Sequence, residues 1–118
     1  MGYNSFTEMP VWKKVIDLAV KIFKITTNLP HSEDYGLSSQ IRRSSNGVGA
    51  CIAEGFGINT KKDKSNFYII SRSSSIETQN HLLYGAKVGY FNKQSTDMLI
   101  KDYNDLIYEL NKLIKSLA

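Results

Sequence analysis

Apolar residues recur along this chain at helical spacing almost from end to end. In residues 10–29, Val11, Val15, Leu18, Ile22, Ile25 and Leu29 form one stripe, and Trp12, Ile16, Ala19 and Phe23 form a second beside it. The two stripes make a broad apolar face, while Lys14, Asp17, Lys21 and Lys24 mark the wet side. Pro10 suits a first helical turn, and Pro30 disfavours helix at Leu29. The segment therefore reads as one helix over 10–29.

Residues 36–57 contain five glycines and two pairs of serines, yet Ile41, Val48, Ile52 and Phe56 keep near-helical spacing. Each glycine inside a helix costs about 1 kcal/mol relative to alanine, so Gly47 and Gly49 weaken this segment. Tertiary contact must offset that loss. Small residues let a neighbouring backbone come close and recover dispersion contacts. The pattern predicts a helix in the crowded middle of a bundle, and not a phosphate-binding loop.

A third segment follows Thr60 and Asp63, which resemble a capping box, and runs over residues 61–87. Its apolar points are Phe67, Ile70, Ile76, Leu82 and Leu83. The fourth is the most regular. Leu99, Tyr103, Leu106, Leu110, Leu113 and Leu117 step alternately by four and three, with Ser95 as the expected N-cap. Ile100, Ile107 and Ile114 add a second line, seven apart, suited to a neighbouring subunit. No strand-like alternation competes. Short connections then predict an all-α, antiparallel, up-down-up-down four-helix bundle, one domain over residues 1–118.

Charge adds a partner class. The net charge is +4, and residues 9–93 hold twelve Lys/Arg against six Asp/Glu. A positive field of this size attracts nucleic acid or an acidic partner. Arg42, Lys61, Lys62, Lys64, Arg72 and Lys93 are the candidate phosphate contacts. The alternative is an ordinary solvated surface. Cys51 is the only cysteine, which excludes an intrachain disulfide and reads as a small core residue. The N-terminus lacks the order of a signal peptide, and no apolar run is long enough to span a bilayer. A cytoplasmic protein is expected, with no membrane partner.

Catalytic and cofactor motifs are weak. "GVGACIAEGFG" has misplaced glycines for a dinucleotide fingerprint, and there is no P-loop triplet. His31 and His81 have no partners at ligand spacing, so no metal or cofactor is expected. The more informative polar set is helical. Gln40, Arg43, Gly47, Ala50 and Glu54 share one face, and Phe67, Ile70, Ser74, Glu77 and His81 share another. If these faces meet, Gln40, Arg43, Glu54, Ser74 and Glu77 form a polar network in or beside the core. Such charges must be paired there, and fixing helix register is the main reading, with ligand binding as the alternative.

Four motifs carry a resemblance: Tyr35-Gly36-Leu37-Ser38-Ser39-Gln40-Ile41-Arg42-Arg43, Cys51-Ile52-Ala53-Glu54-Gly55, Ser74-Ser75-Ile76-Glu77 and Gly89-Tyr90. Together they resemble the four-helix-bundle family of 23S rRNA intervening-sequence proteins. The resemblance spans nearly the whole chain from Trp12. It implies a left-handed antiparallel bundle in a cyclic assembly, commonly a homopentamer, in bacteria. A related group resembles the accessory variability determinants of diversity-generating retroelements, basic pentameric barrels that bind nucleic acid and a reverse transcriptase. By resemblance, Arg43, Glu54 and Glu77 are structural. The function expected from all of this is a non-enzymatic oligomeric bundle that binds RNA, DNA or a nucleic-acid enzyme through a basic surface. The alternative is a structural or protein-interaction scaffold without nucleic-acid affinity.

Overall fold

A computed structural model describes residues 2–118. The described residues form four α-helices: α1 (Pro10–Thr26), α2 (Leu37–Phe56), α3 (Lys61–Lys87) and α4 (Lys93–Ser116). Two short 3-10 turns, Phe6–Glu8 and His31–Glu33, precede α1 and α2. Among the described residues there is no strand.

Helix starts follow local chemistry. Pro10 opens α1. The Thr60 hydroxyl accepts from the Asp63 N–H at 3.3 Å and donates to the Asp63 carboxylate at 2.8 Å, giving α3 a reciprocal cap. The start of α4 differs from the expected Ser95 cap. Asn92 is the cap, and its Oδ1 accepts from the Ser95 N–H at 3.0 Å. Helix α1 also stops earlier than 29. The hydroxyl of Thr26 turns back onto the carbonyls of Ile22 and Phe23, both at 2.9 Å, and the chain leaves the helix toward Pro30.

Contacts between helices run in opposite sequence order. On α2 and α3, Arg43 meets Glu77, Ser44 meets Thr78, Val48 meets Ser71 and Gly55 meets Lys64. On α3 and α4, Arg72 meets Asn111 and Gln79 meets Asn104. Neighbours in sequence are thus antiparallel, and α1 closes the bundle against α4. Ile22, Ile41, Val48, Ile52, Leu82, Leu106 and Leu110 are fully buried, so all four helices contribute to one core.

The glycine-rich segment is helix α2, and its interface with α3 is the most extensive in the molecule. Small residues make this possible. A Cβ on Gly55 would lie 2.8 Å from the Tyr68 ring, so only glycine admits that contact unchanged. Ser44 Oγ and Thr78 Oγ1 are 2.8 Å apart, and Ser71 Oγ donates to the Val48 carbonyl at 2.8 Å. Ser71, Ser75 and Thr78 are completely buried. Their hydroxyls are satisfied, so the seam is close without leaving polar groups unpaired.

This seam explains why α3 departs from its apolar pattern. Of Phe67, Ile70, Ile76, Leu82 and Leu83, only Leu82 is fully buried. The buried face of α3 is instead Tyr68, Ser71, Ser75, Thr78, Leu82 and Gly85. The small Ser71, Ser75 and Thr78 fit where two helices nearly touch, and the larger Ile70, Ile76 and Leu83 lie about half exposed.

Candidate functional site

The expected polar network is assembled only in part. Arg43 Nη2 donates to Glu77 Oε2 at 2.7 Å, and His81 Nε2 lies 3.2 Å from the same oxygen. Arg43 and Glu77 side chains are 67% and 38% exposed, so this pair sits on the rim and not in the core. Exposed pairs of this kind contribute about 0–1 kcal/mol. Ser74 is half-buried opposite Gly47, with its carbonyl accepting from Thr78. Gln40 and Glu54 are exposed and make no side-chain hydrogen bond to the pair. Glu54 therefore has no buried arginine to balance. The reason is rotational: the face of α2 that meets α3 runs through Leu37, Ile41, Ser44, Val48, Ile52 and Gly55, and the Gln40–Glu54 stripe is offset to one side of it.

The six candidate cations do not form one patch. Lys64 Nζ donates to the carbonyls of Gly55 and Phe56 at 3.0 and 2.9 Å, closing the C-terminus of α2. Arg42 folds against α1: its Nε donates to Thr26 Oγ1 at 2.8 Å, and its guanidinium lies 4.2 Å from the Phe23 ring centroid. Arg72 Nη1 reaches Asn111 Oδ1 at 2.8 Å, and Lys93 Nζ pairs with Asp97 at 2.8 Å. Lys61 and Lys62 remain, exposed in the first turn of α3. Lys61, Lys62 and Lys64 stand at the α2–α3 connection, whereas Arg42 and Lys93 belong to the opposite end.

The isoleucine line of α4 is also half-turned inward. Ile100 and Ile114 pack against the core, and Ile107 is half-buried. More open apolar side chains lie beside it on α3. Arg72 and Gln79 reach α4, and Ile76 and Leu83, each four residues further, share the outer flank of that contact at 53% and 52% exposure. Val20 and Phe23 form another apolar strip, along a groove of about 530 Å³ between α1 and α2.

A smaller groove, about 350 Å³, lies between α2 and α3 and is lined by Glu33, Leu37, Gln40, Asn80, His81 and Tyr84. Glu33 is fixed there. Its Oε1 accepts from the Leu37 N–H at 3.1 Å, capping α2, and its Oε2 accepts from the Tyr90 hydroxyl at 2.9 Å. That hydrogen bond holds the Tyr90 phenol above its usual pKa. Gln40 was legible as part of a helical stripe, but Glu33 comes from the turn before α2, and Asn80 and Tyr84 come from α3.

Cys51 is half-buried, and its thiol is pushed up in pKa, first by burial and then by nearby Glu54. It is a poor nucleophile in that state. Among the described residues no three His, Cys, Asp or Glu side chains are arranged to hold a metal ion, and no helix is long and apolar enough to cross a membrane.

Comparison with known proteins gives a family and a fold. Residues 7–112 match the family model described as 23S rRNA-intervening sequence protein. A solved structure, a protein of unknown function from the S23 ribosomal protein family of Bacteroides thetaiotaomicron, is similar with a TM-score of 0.79 and 25% identity, covering 89% of this chain and 98% of that one. No curated protein sequence matches. With the family match covering all but a few residues at each end, the chain belongs to the 23S rRNA-intervening sequence protein family.

Proposed function

We propose that the protein is a non-enzymatic four-helix bundle that self-associates and binds nucleic acid through its free surface cations. The observation that carries this reading is the pair Lys61 and Lys62. Both are exposed in the first turn of α3, where positive charge opposes the helix dipole. Helix stability does not account for lysines there, and phosphate is favoured beside them. The solved relative is assigned to a ribosomal protein family, which agrees with an RNA partner. A ring of copies would multiply a weak patch through avidity. The resemblance to pentameric accessory variability determinants supports such a ring, and the exposed Ile76–Leu83 flank supplies apolar surface for it. A reduced, cytoplasmic setting suits the single half-buried Cys51.

Anisotropy titration of labelled RNA and DNA at low and moderate salt tests the binding. Affinity should fall steeply as salt rises, because released counterions drive phosphate binding. Reversing charge with Lys61→Glu and Lys62→Glu should flatten that dependence. Absence of binding at low salt would overturn it. The second reading, an interaction scaffold without nucleic-acid affinity, is favoured by the engagement of Arg42, Lys64, Arg72 and Lys93 within the chain.

Self-association has its own measurement. Light scattering should return a multiple of the chain mass, and Ile76→Glu with Leu83→Glu should lower it without unfolding, since both side chains are about half exposed. A monomeric wild-type mass would exclude the assembly.

A further inference from the structure

We infer that the α2–α3 groove binds one unpaired purine base of a single-stranded nucleic acid. This rests on the nucleic-acid reading above and specifies its substrate. The groove of about 350 Å³ is at the small end of the roughly 300–1,000 Å³ typical of ligand sites. Tyr84 lines it, 52% exposed as a residue, and its ring offers a planar apolar surface. Every base offers a π-face to such a ring.

The rest of the lining is suited to a base edge. Gln40 and Asn80 are primary amides, one from each helix, and both are exposed with no hydrogen bond from their side chains within the described residues. A side-chain amide offers a donor and an acceptor side by side, which matches the N6/N7 edge of adenine. The Glu33 carboxylate keeps lone pairs beyond its two hydrogen bonds and accepts from exocyclic or ring N–H groups. His81, only 12% exposed in its side chain, closes the groove on the Glu77 side.

Cations stand at both ends. Arg43, which also pairs with Glu77 but keeps a side chain 67% exposed, follows Gln40 by three residues on α2, and Lys87 follows Tyr84 by three on α3. Because the helices are antiparallel, these positions lie beyond opposite ends of the groove, on the order of 15 Å apart at 1.5 Å rise per residue. A strand laid across the groove would meet one cation on each side of the inserted base. A duplex hides its base faces in stacking, so the Tyr84 ring and the amides select a single strand.

The test compares short labelled A-rich and U-rich single-stranded RNAs with a duplex of the same length, by anisotropy at low salt. The A-rich strand should bind most tightly. Tyr84→Ala should weaken single-strand binding about tenfold, Tyr84→Phe should restore it, and duplex binding and melting temperature should not move. Asn80→Ala should reduce the preference for the A-rich strand while leaving U-rich binding in place. Unchanged single-strand affinity in Tyr84→Ala, or a preference for the duplex, would overturn the groove while leaving binding through Lys61 and Lys62 intact. No binding to any of these probes would overturn both readings together.

Discussion

Gly85→Ala is expected to destabilise the protein by about 1–3 kcal/mol, although alanine ordinarily adds about 1 kcal/mol to a helix interior. Gly85 is fully enclosed in α3, and a Cβ there would run into the Phe91 ring. That ring is only 8% exposed, and it is held by the turn that ends α3. The Tyr90 N–H donates to the Gly85 carbonyl at 2.8 Å and the Gly89 N–H donates to the Ala86 carbonyl at 3.1 Å. Gly89 takes φ +90°, the left-handed conformation that this helix-ending motif requires. With the ring buried, a shift there disturbs the turn and the packing around it. Gly47→Ala is the matched control. A Cβ at Gly47 meets only Ser74 Oγ at 4.0 Å, so this variant should gain up to about 1 kcal/mol. Denaturant midpoints at constant slope measure both. Equal shifts in the two variants would refute the role given to close approach at Gly85.

Tyr103→Phe should act in the opposite direction, stabilising the fold by about 1–2 kcal/mol. Tyr103 is 1% exposed, at the centre of the apolar seam of α4, and its hydroxyl has no hydrogen-bond partner among the described residues. Burial alone raises the phenol far above its usual pKa. An unsatisfied buried hydroxyl costs about 1–3 kcal/mol, and phenylalanine keeps the ring and its packing while removing that group. A less stable variant would show that the hydroxyl is hydrogen-bonded after all.

The candidate site was less legible than the helices because charge reads poorly from a one-dimensional pattern. Arg43 and Glu77 could be matched from their helical stripes, and they do meet. Glu54 has the same periodicity as Arg43, but that stripe turns to solvent where α2 reaches Gly55 and Tyr68. Arg42 and Lys64 look like free surface cations in sequence. In space each ties one helix to the next, at Thr26 and at the end of α2. The hydroxyl seam of Ser44, Ser71 and Thr78 had a signal, since Ser71, Ser75 and Thr78 recur at four and three. Serine and threonine are mostly surface residues, and only a close helix pair puts them inside.

By itself the amino-acid sequence determined four helices and the starts of α1 and α3, because 3.6-residue periodicity, proline placement and Thr60–Asp63 act over a few residues. It also determined that α2 must be crowded, since glycines and serines at helical spacing are tolerable only under close contact. Only the tertiary structure decided which face of α3 is buried, which cations are committed to helix ends, and that Glu33, Gln40, Asn80 and Tyr84 line one groove. Those outcomes depend on the rotation of each helix about its axis. That rotation is set by how side chains of unequal size share a core, a balance of many contacts that no local pattern encodes.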